Sequence, residues 1–199
     1  ALRQLMPANS MAILFSSPVR TRANDIEYEY HQDPNFYYLT GHTEPHSVLL
    51  IFKEQQLFDD FATDEIIFVR EKKERDEIWT GKILGAKAAI SELGISTAFN
   101  GEDFFSAALN LQEFEHILHL GLPEDVRNTP EKADLAGLIQ SFKLKSQHLE
   151  TLDQVELPEY LARLRQIKSK EEIALLKKAI DITCDAQIEL MRALNPRMT

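Results

Sequence analysis

The chain is poor in several residue types. Its 199 residues include one cysteine, one tryptophan, seven glycines and eight prolines. With Cys184 alone, no intrachain disulfide can form, so the fold must rest on burial. A single cysteine fits a reducing compartment, and a cytoplasmic location is expected. No Gly-, Ser- or Pro-rich stretch marks a flexible linker, and no internal repeat is visible. Long apolar runs are also missing: Val48–Phe52 and Ile66–Val69 are typical, against the ~20 residues that a membrane span needs. No basic start leads into an apolar stretch, so no signal peptide is expected. Positive charge is the minority, with 22 Lys and Arg against 32 Asp and Glu and a net charge of -10. Such a surface repels phosphate backbones. The densest basic stretch, Arg163–Lys170, runs straight into Glu171 and Glu172. Neither a nucleic acid nor a membrane is expected as a partner.

What is present suits a packed domain. Hydrophobic residues make up 44% and charged residues 27%, the balance of an ordinary globular protein. Met11–Phe15, His46–Phe52 and Glu65–Arg70 read as strands. The last two are continuous apolar runs, which predicts a sheet covered on both faces. Residues 16–35 read as a long polar loop, a length that usually signals function. Helices are predicted over Ile83–Leu93, stopped by Gly94, over Glu102–Phe114 and over Pro130–Phe142, with a strand at His116–Leu120. Strands alternating with helices give an α/β class with a mixed sheet. Ser169 and Glu172 form a capping box, and Ile173, Leu176, Ile180, Met191 and Leu194 recur at helical spacing. A helix over 169–194 follows, ended by Pro196. Such a helix at a chain end suggests a sequence cut inside a larger protein.

Few residues offer chemistry. His42 and His46 are four apart, but Pro45 breaks the helix that zinc ligation at that spacing would need, so a turn into a strand is expected. In a strand, His116 and His119 point to opposite faces. Asp59–Asp60 reads as a solvated turn. Cys184 reads as a small packed helix residue. Gly81–Gly85 lacks the Gly-Lys-Ser/Thr end of a phosphate loop, and no Gly-x-Ser-x-Gly occurs. Phe36-Tyr37-Tyr38-Leu39 followed by Thr40-Gly41 reads as core with a Gly-assisted turn. Trp79 reads as a connecting-loop residue, either a core anchor or a contact residue.

Three separated stretches resemble one family. Tyr28-x-Tyr30-x-Gln32-Asp33-x-x-Phe36-Tyr37-Tyr38-Leu39-Thr40-Gly41, with Glu44-Pro45 after it, resembles the N-terminal domain of Xaa-Pro aminopeptidases (aminopeptidase P). Glu77-Ile78-Trp79-Thr80-Gly81-Lys82 is similar to a second signature of that family. Arg165–Ser169, Glu171–Ile173 and the helix to Asn195-Pro196 resemble its junction to the catalytic domain, although Arg197 stands where the family often has Gly.

The resemblance implies a two-part enzyme. Residues 1–160 would be the N-terminal domain, a mixed sheet flanked by helices with the ribonuclease-H-like layout of creatinase and prolidase. Residues 161–199 would be the linker and first long helix of a pita-bread catalytic domain. In the family that domain binds two divalent ions, usually Mn²⁺, through two Asp, one His and two Glu, and hydrolyses the bond before a proline in second position. Those ligands would lie beyond residue 199, so the fragment is expected to bind no metal, to hold no catalytic residue and to be inactive alone. Its partners would be peptides with proline second, its own catalytic domain and further copies of itself. By motif position, Trp79 and Asp25, with Tyr38 and Arg22 beside them, would form the rim of a substrate mouth or contact a neighbouring subunit. Two other readings are a prolidase N-domain and a non-catalytic peptide-binding module, the latter suggested by the acid excess.

Overall fold

The computed structural model describes residues 1–58, 61–107, 109–129, 131–150 and 152–195, and of Trp79 the backbone alone. Asp59, Asp60, Pro196 and Arg197 lie outside the described residues. The chain divides into two compact units, Ala1–Leu161 and Ala162–Thr199.

The elements run in order α1 (Leu2–Leu5), β1 (Ser10–Phe15), β2 (Thr21–Ala23), β3 (Ile26–Glu27), α2 (Pro34–Thr40), β4 (Val48–Phe58), β5 (Phe61–Val69), α3 (Glu74–Thr80), α4 (Gly85–Leu93), β6 (Ala98–Asn100), α5 (Asp103–Ser106), a 3₁₀ turn (Leu111–Glu113), β7 (His116–His119), α6 (Leu135–Ser146), β8 (Leu152–Asp153), α7 (Glu156–Gln166) and α8 (Lys170–Ala193). Six strands form one sheet in the order β6-β5-β4-β1-β7-β8. The central pairs β1–β4 and β4–β5 are antiparallel. The outer pairs β5–β6, β1–β7 and β7–β8 are parallel. The sheet is therefore mixed, as the alternation of strands and helices predicted.

Burial explains why the central strands are apolar throughout. Met11, Ile13, Phe15, Val48, Leu50, Phe52, Ile66 and Phe68 join one core cluster with Phe104 of α5 and Leu135, Leu138, Ile139 and Phe142 of α6. Alternate residues point the other way. Those residues, Leu14, Leu49, Ile51, Ile67 and Val69, are just as buried, and α1 and α4 pack against β4 and β5–β6. Both faces are covered, as expected. At ~25 cal/mol per Å², two such faces are the dominant stabilising term.

Several expected elements differ. Residues 16–35 are no plain loop: they hold the β2–β3 hairpin, turned at Asn24 with φ 53°. Asn tolerates this left-handed geometry better than most residues. Phe36–Leu39 belongs to a helix, α2, because Asp33 caps it by accepting the Asn35 and Phe36 amides and Pro34 fills its first turn. Gly41 ends it at φ 68°. Trp79 lies on the last turn of α3, not in a loop. The helix expected over 102–114 is broken into α5 and the 3₁₀ turn, and α6 begins later than expected, at Leu135. Strands β4 and β5 extend well past their apolar runs as a paired hairpin.

In the second unit, α8 carries the complete capping box of Ser169 and Glu172. It has no buried residue, and Ile173, Leu176, Ile180, Met191 and Leu194 are each at least half exposed. Cys184, expected to be packed, is an exposed free thiol.

Candidate functional site

Strands β1, β5, β6, β7 and β8 finish at one end of the sheet, where β4 begins. Open α/β sheets collect their ligands outside strand carboxyl ends. The connections at this end include residues 16–47 and 70–84, which carry the first two signatures, and residues 120–134.

The first connection is built around buried polar groups. Ser16 and Ser47 meet across β1 and β4: the Ser16 amide donates to the Ser47 carbonyl at 2.9 Å, and the Ser47 amide donates to Ser16 Oγ at 3.0 Å. His42 Nε2 lies 2.9 Å from Ser47 Oγ. All three side chains are fully buried. Burial, with the nearby Arg70 charge as a lesser cause, pushes the His42 imidazole down to about 4, so it is neutral at physiological pH. Gln32 gathers the next layer. Its Oε1 accepts from the Ser17 and Asp33 amides, each at 2.9 Å, and its Nε2 donates to the Glu44 carbonyl at 2.9 Å. Tyr30 Oη sits 3.0 Å from Gln32 Oε1, and burial raises its phenol far above the ordinary value.

Glu44 reaches across to the second connection. One carboxylate oxygen pairs with Arg70 Nη2 at 3.3 Å, and the other accepts the Leu84 amide at 2.7 Å. Next to it, Glu77 of α3 accepts the Ile83 amide at 2.9 Å, a bond that holds its carboxyl below the usual range. His46 serves the third connection. Its Nδ1 accepts the Leu135 amide at 3.0 Å, capping α6 where Asp134 makes no such bond. Burial lowers the His46 pKa against the opposing pull of Asp134.

The four residues singled out from sequence fall on three elements. Arg22 and Asp25 share the β2–β3 hairpin and are exposed. Tyr38 is on α2 and 39% exposed, on the side away from buried Phe36. Trp79 is on α3. The hairpin is tied down where the Tyr28 amide donates to the Arg20 carbonyl, and Glu27 lies 3.9 Å from Arg127. A cleft of about 230 Å³ opens at this end between Phe15–Pro18, Arg20, Asp33 and residues 120–124, and Arg22, Asp25 and Tyr38 do not line it. A larger cavity of about 470 Å³ lies along α6, among Phe105, Thr129, Lys132 and Gln140. No described signature side chain lines that one, whereas Asp33 of the first signature lines the smaller cleft.

Sequence reasoning missed the polar core of the site. Ser16, Ser47 and Arg70 drew no attention, and His42 drew it for the wrong chemistry. The only local signal was the pair Gln32-Asp33 and Glu44-Pro45 inside the first signature. Among the described residues no group of three His, Cys, Asp or Glu could hold a metal ion. The groups that are present suit binding and positioning.

Residues 1–117 match the family described as "Aminopeptidase P, N-terminal domain". The chain belongs to the aminopeptidase P N-terminal domain family. It is 30% identical to the Xaa-Pro aminopeptidase of Escherichia coli K12 over 202 aligned residues, which cover 100% of this chain and 44% of that protein. It is also 30% identical to Intermediate cleaving peptidase 55 of Schizosaccharomyces pombe, covering 94% of this chain and 38% of that one. The structure of Escherichia coli aminopeptidase P with the inhibitor Pro-Leu superposes with a TM-score of 0.75 at 29% identity, covering 99% of this chain and 44% of that chain. The chain thus spans less than half the length of these relatives. No helix among the described residues is long and apolar enough to cross a membrane.

Proposed function

We propose that this chain is the substrate-gating and oligomerisation portion of an Xaa-Pro aminopeptidase. The observation that carries the reading is a family match over residues 1–117 together with relatives of that name aligned along the whole chain. Hydrolysis belongs to a portion outside residues 1–199 that holds two divalent ions, Mn²⁺ in this reading. Residues 1–160 form the gating domain, and residues 161–199 lead into the catalytic part. The whole protein is a cytoplasmic homo-oligomer.

In this reading the loop end of the sheet forms one wall of the active-site mouth. Trp79 and Tyr38 narrow it, since aromatic side chains cover area at low entropy cost. Asp25 attracts the α-ammonium of the incoming peptide, and Arg22 completes the rim. An enzyme confined to free amino ends must exclude internal chain segments, and a rigid wall does that by shape.

The test uses the full-length protein with Mn²⁺ and three substrates: an Xaa-Pro peptide, an Xaa-Pro dipeptide and a peptide without proline second. Release of the first residue from the Xaa-Pro peptide is expected, while the 199-residue chain alone gives none. Cleavage of the dipeptide only would replace the reading with a prolidase. Preference for the third substrate would replace it with a peptidase of different specificity.

A further inference from the structure

We propose that Glu44 is the positioning residue that fixes the Trp79-bearing segment at the sheet's end, and that it thereby sets how tightly the substrate's amino end is bound. The proposal rests on the gating reading above and goes beyond it by naming what holds the gate.

Residues 70–84 leave β5, form α3 and return to α4. Their internal bonds are local: Asp76 and Glu77 amides donate to the Lys73 carbonyl, Gly81 to that of Glu77, and Glu77 closes the turn onto Ile83. These bonds shape the segment without placing it. Among the described groups, the hydrogen bonds that join its two ends to another connection both go to Glu44. One carboxylate takes Arg70 at the start and the Leu84 amide at the finish. The Glu44 main chain is itself fixed, because its carbonyl accepts Gln32 Nε2, and Gln32 is bound to Ser17 and Asp33. Side chains Glu44 and Arg70 are 16% and 21% exposed, so water competes weakly for the pair. A carboxylate is needed, since it accepts two donors on opposite sides while matching the Arg70 charge.

Glu44 touches no reacting atom in this arrangement, so its loss acts on binding and leaves the chemical step alone. The experiment compares wild type, Glu44→Ala and Glu44→Gln in the full-length protein. Hydrogen exchange is followed on the peptide containing Ile83 and Leu84, with a peptide from β5 as the reference for global folding. Glu44→Ala is expected to speed exchange at 83–84 about tenfold or more and leave β5 unchanged. KM for an Xaa-Pro peptide should rise about tenfold, with kcat within about twofold. Glu44→Gln keeps an acceptor for Leu84 but loses the charge that pairs with Arg70, so it should show both changes in smaller measure, about threefold each. Unchanged exchange at 83–84 in Glu44→Ala overturns the proposal, as does lost protection with an unchanged KM or a fall in kcat alone. If Glu44→Ala loses β5 protection as well, Glu44→Gln decides: β5 protected with 83–84 unprotected and KM raised supports the proposal, and wild-type values throughout overturn the charge requirement. Absence of wild-type turnover would sink the peptidase reading and the binding claim with it, whereas the exchange data would still judge the positioning.

Discussion

Two connections leave the same end of the sheet and are built on different plans. Residues 30–47 are anchored in the interior: Phe36, Thr40, His42 and Ser47 are buried, and Thr40, Ser47 and His42 Nε2 meet main-chain or side-chain partners, while His42 Nδ1 has none. The described side chains of residues 71–82 stand outside it, and Ile83 alone among those of 70–84 is buried. Of α3, Ile78 is 79% exposed, and the segment is tied by carboxylates to two neighbouring amides. Both connections carry family signatures, so signature residues here are of two kinds. Tyr30, Gln32, Asp33, Phe36 and Gly41 build a scaffold, while Ile78, Thr80 and Lys82 are displayed on it.

Mutations can break this contrast. Phe36→Ala removes a fully buried ring and should cost about 3–5 kcal/mol, read as a lower denaturant midpoint; an unmoved midpoint would show that α2 is not part of the core. Acid should act next. His42 has an ordinary value of 6.5, lowered to about 4 in the fold. Between those pH values the unfolded chain takes up a proton that the folded chain refuses. Stability is therefore complete above pH 6.5, falls by about 3 kcal/mol as pH drops to 4, and levels off below. Burial shifts His46 and His119 in the same direction. Melting temperatures across that range check this, and His42→Gln should flatten the slope; an identical slope in that variant would assign the effect elsewhere. Asp33→Ala removes two amide caps from α2 at a cost of about 1 kcal/mol, visible as a lower melting temperature and faster exchange at Asn35 and Phe36. A cost near zero would mean that packing alone holds α2. Smallest of all, Ile78→Ala should change stability by less than about 0.5 kcal/mol. A loss above 1 kcal/mol in a denaturant titration would erase the distinction between the two connections.

How much was legible from sequence follows the range of each interaction. Elements made by local rules were plain: the Ser169–Glu172 box opens α8, Gly94 closes α4 with φ 71°, and apolar runs marked the central strands. The polar halves of β4 and β5 were invisible, because Lys53–Phe58 becomes a strand by pairing and not by hydrophobicity. Seven residues rich in charge gave α3 no readable period. Asp33-Pro34 did announce α2, but the aromatics after it drew the reading toward a turn. The site was legible only through family resemblance. Glu44 and Arg70 are 26 positions apart, Ser16 and Ser47 are 31 apart, and no local pattern links either pair.

The Ser16–Ser47 contact carries one more consequence. Phe15 pairs directly with Val48, and the two serines seal the gap just beyond, so residues 17–46 form a closed cassette with both ends at one point. Length changes in such an insert cost little closure entropy and need not shift either strand. The exposed β2–β3 hairpin can therefore change in length while the β1–β4 register and the buried anchors Phe36 and His42 stay where they are.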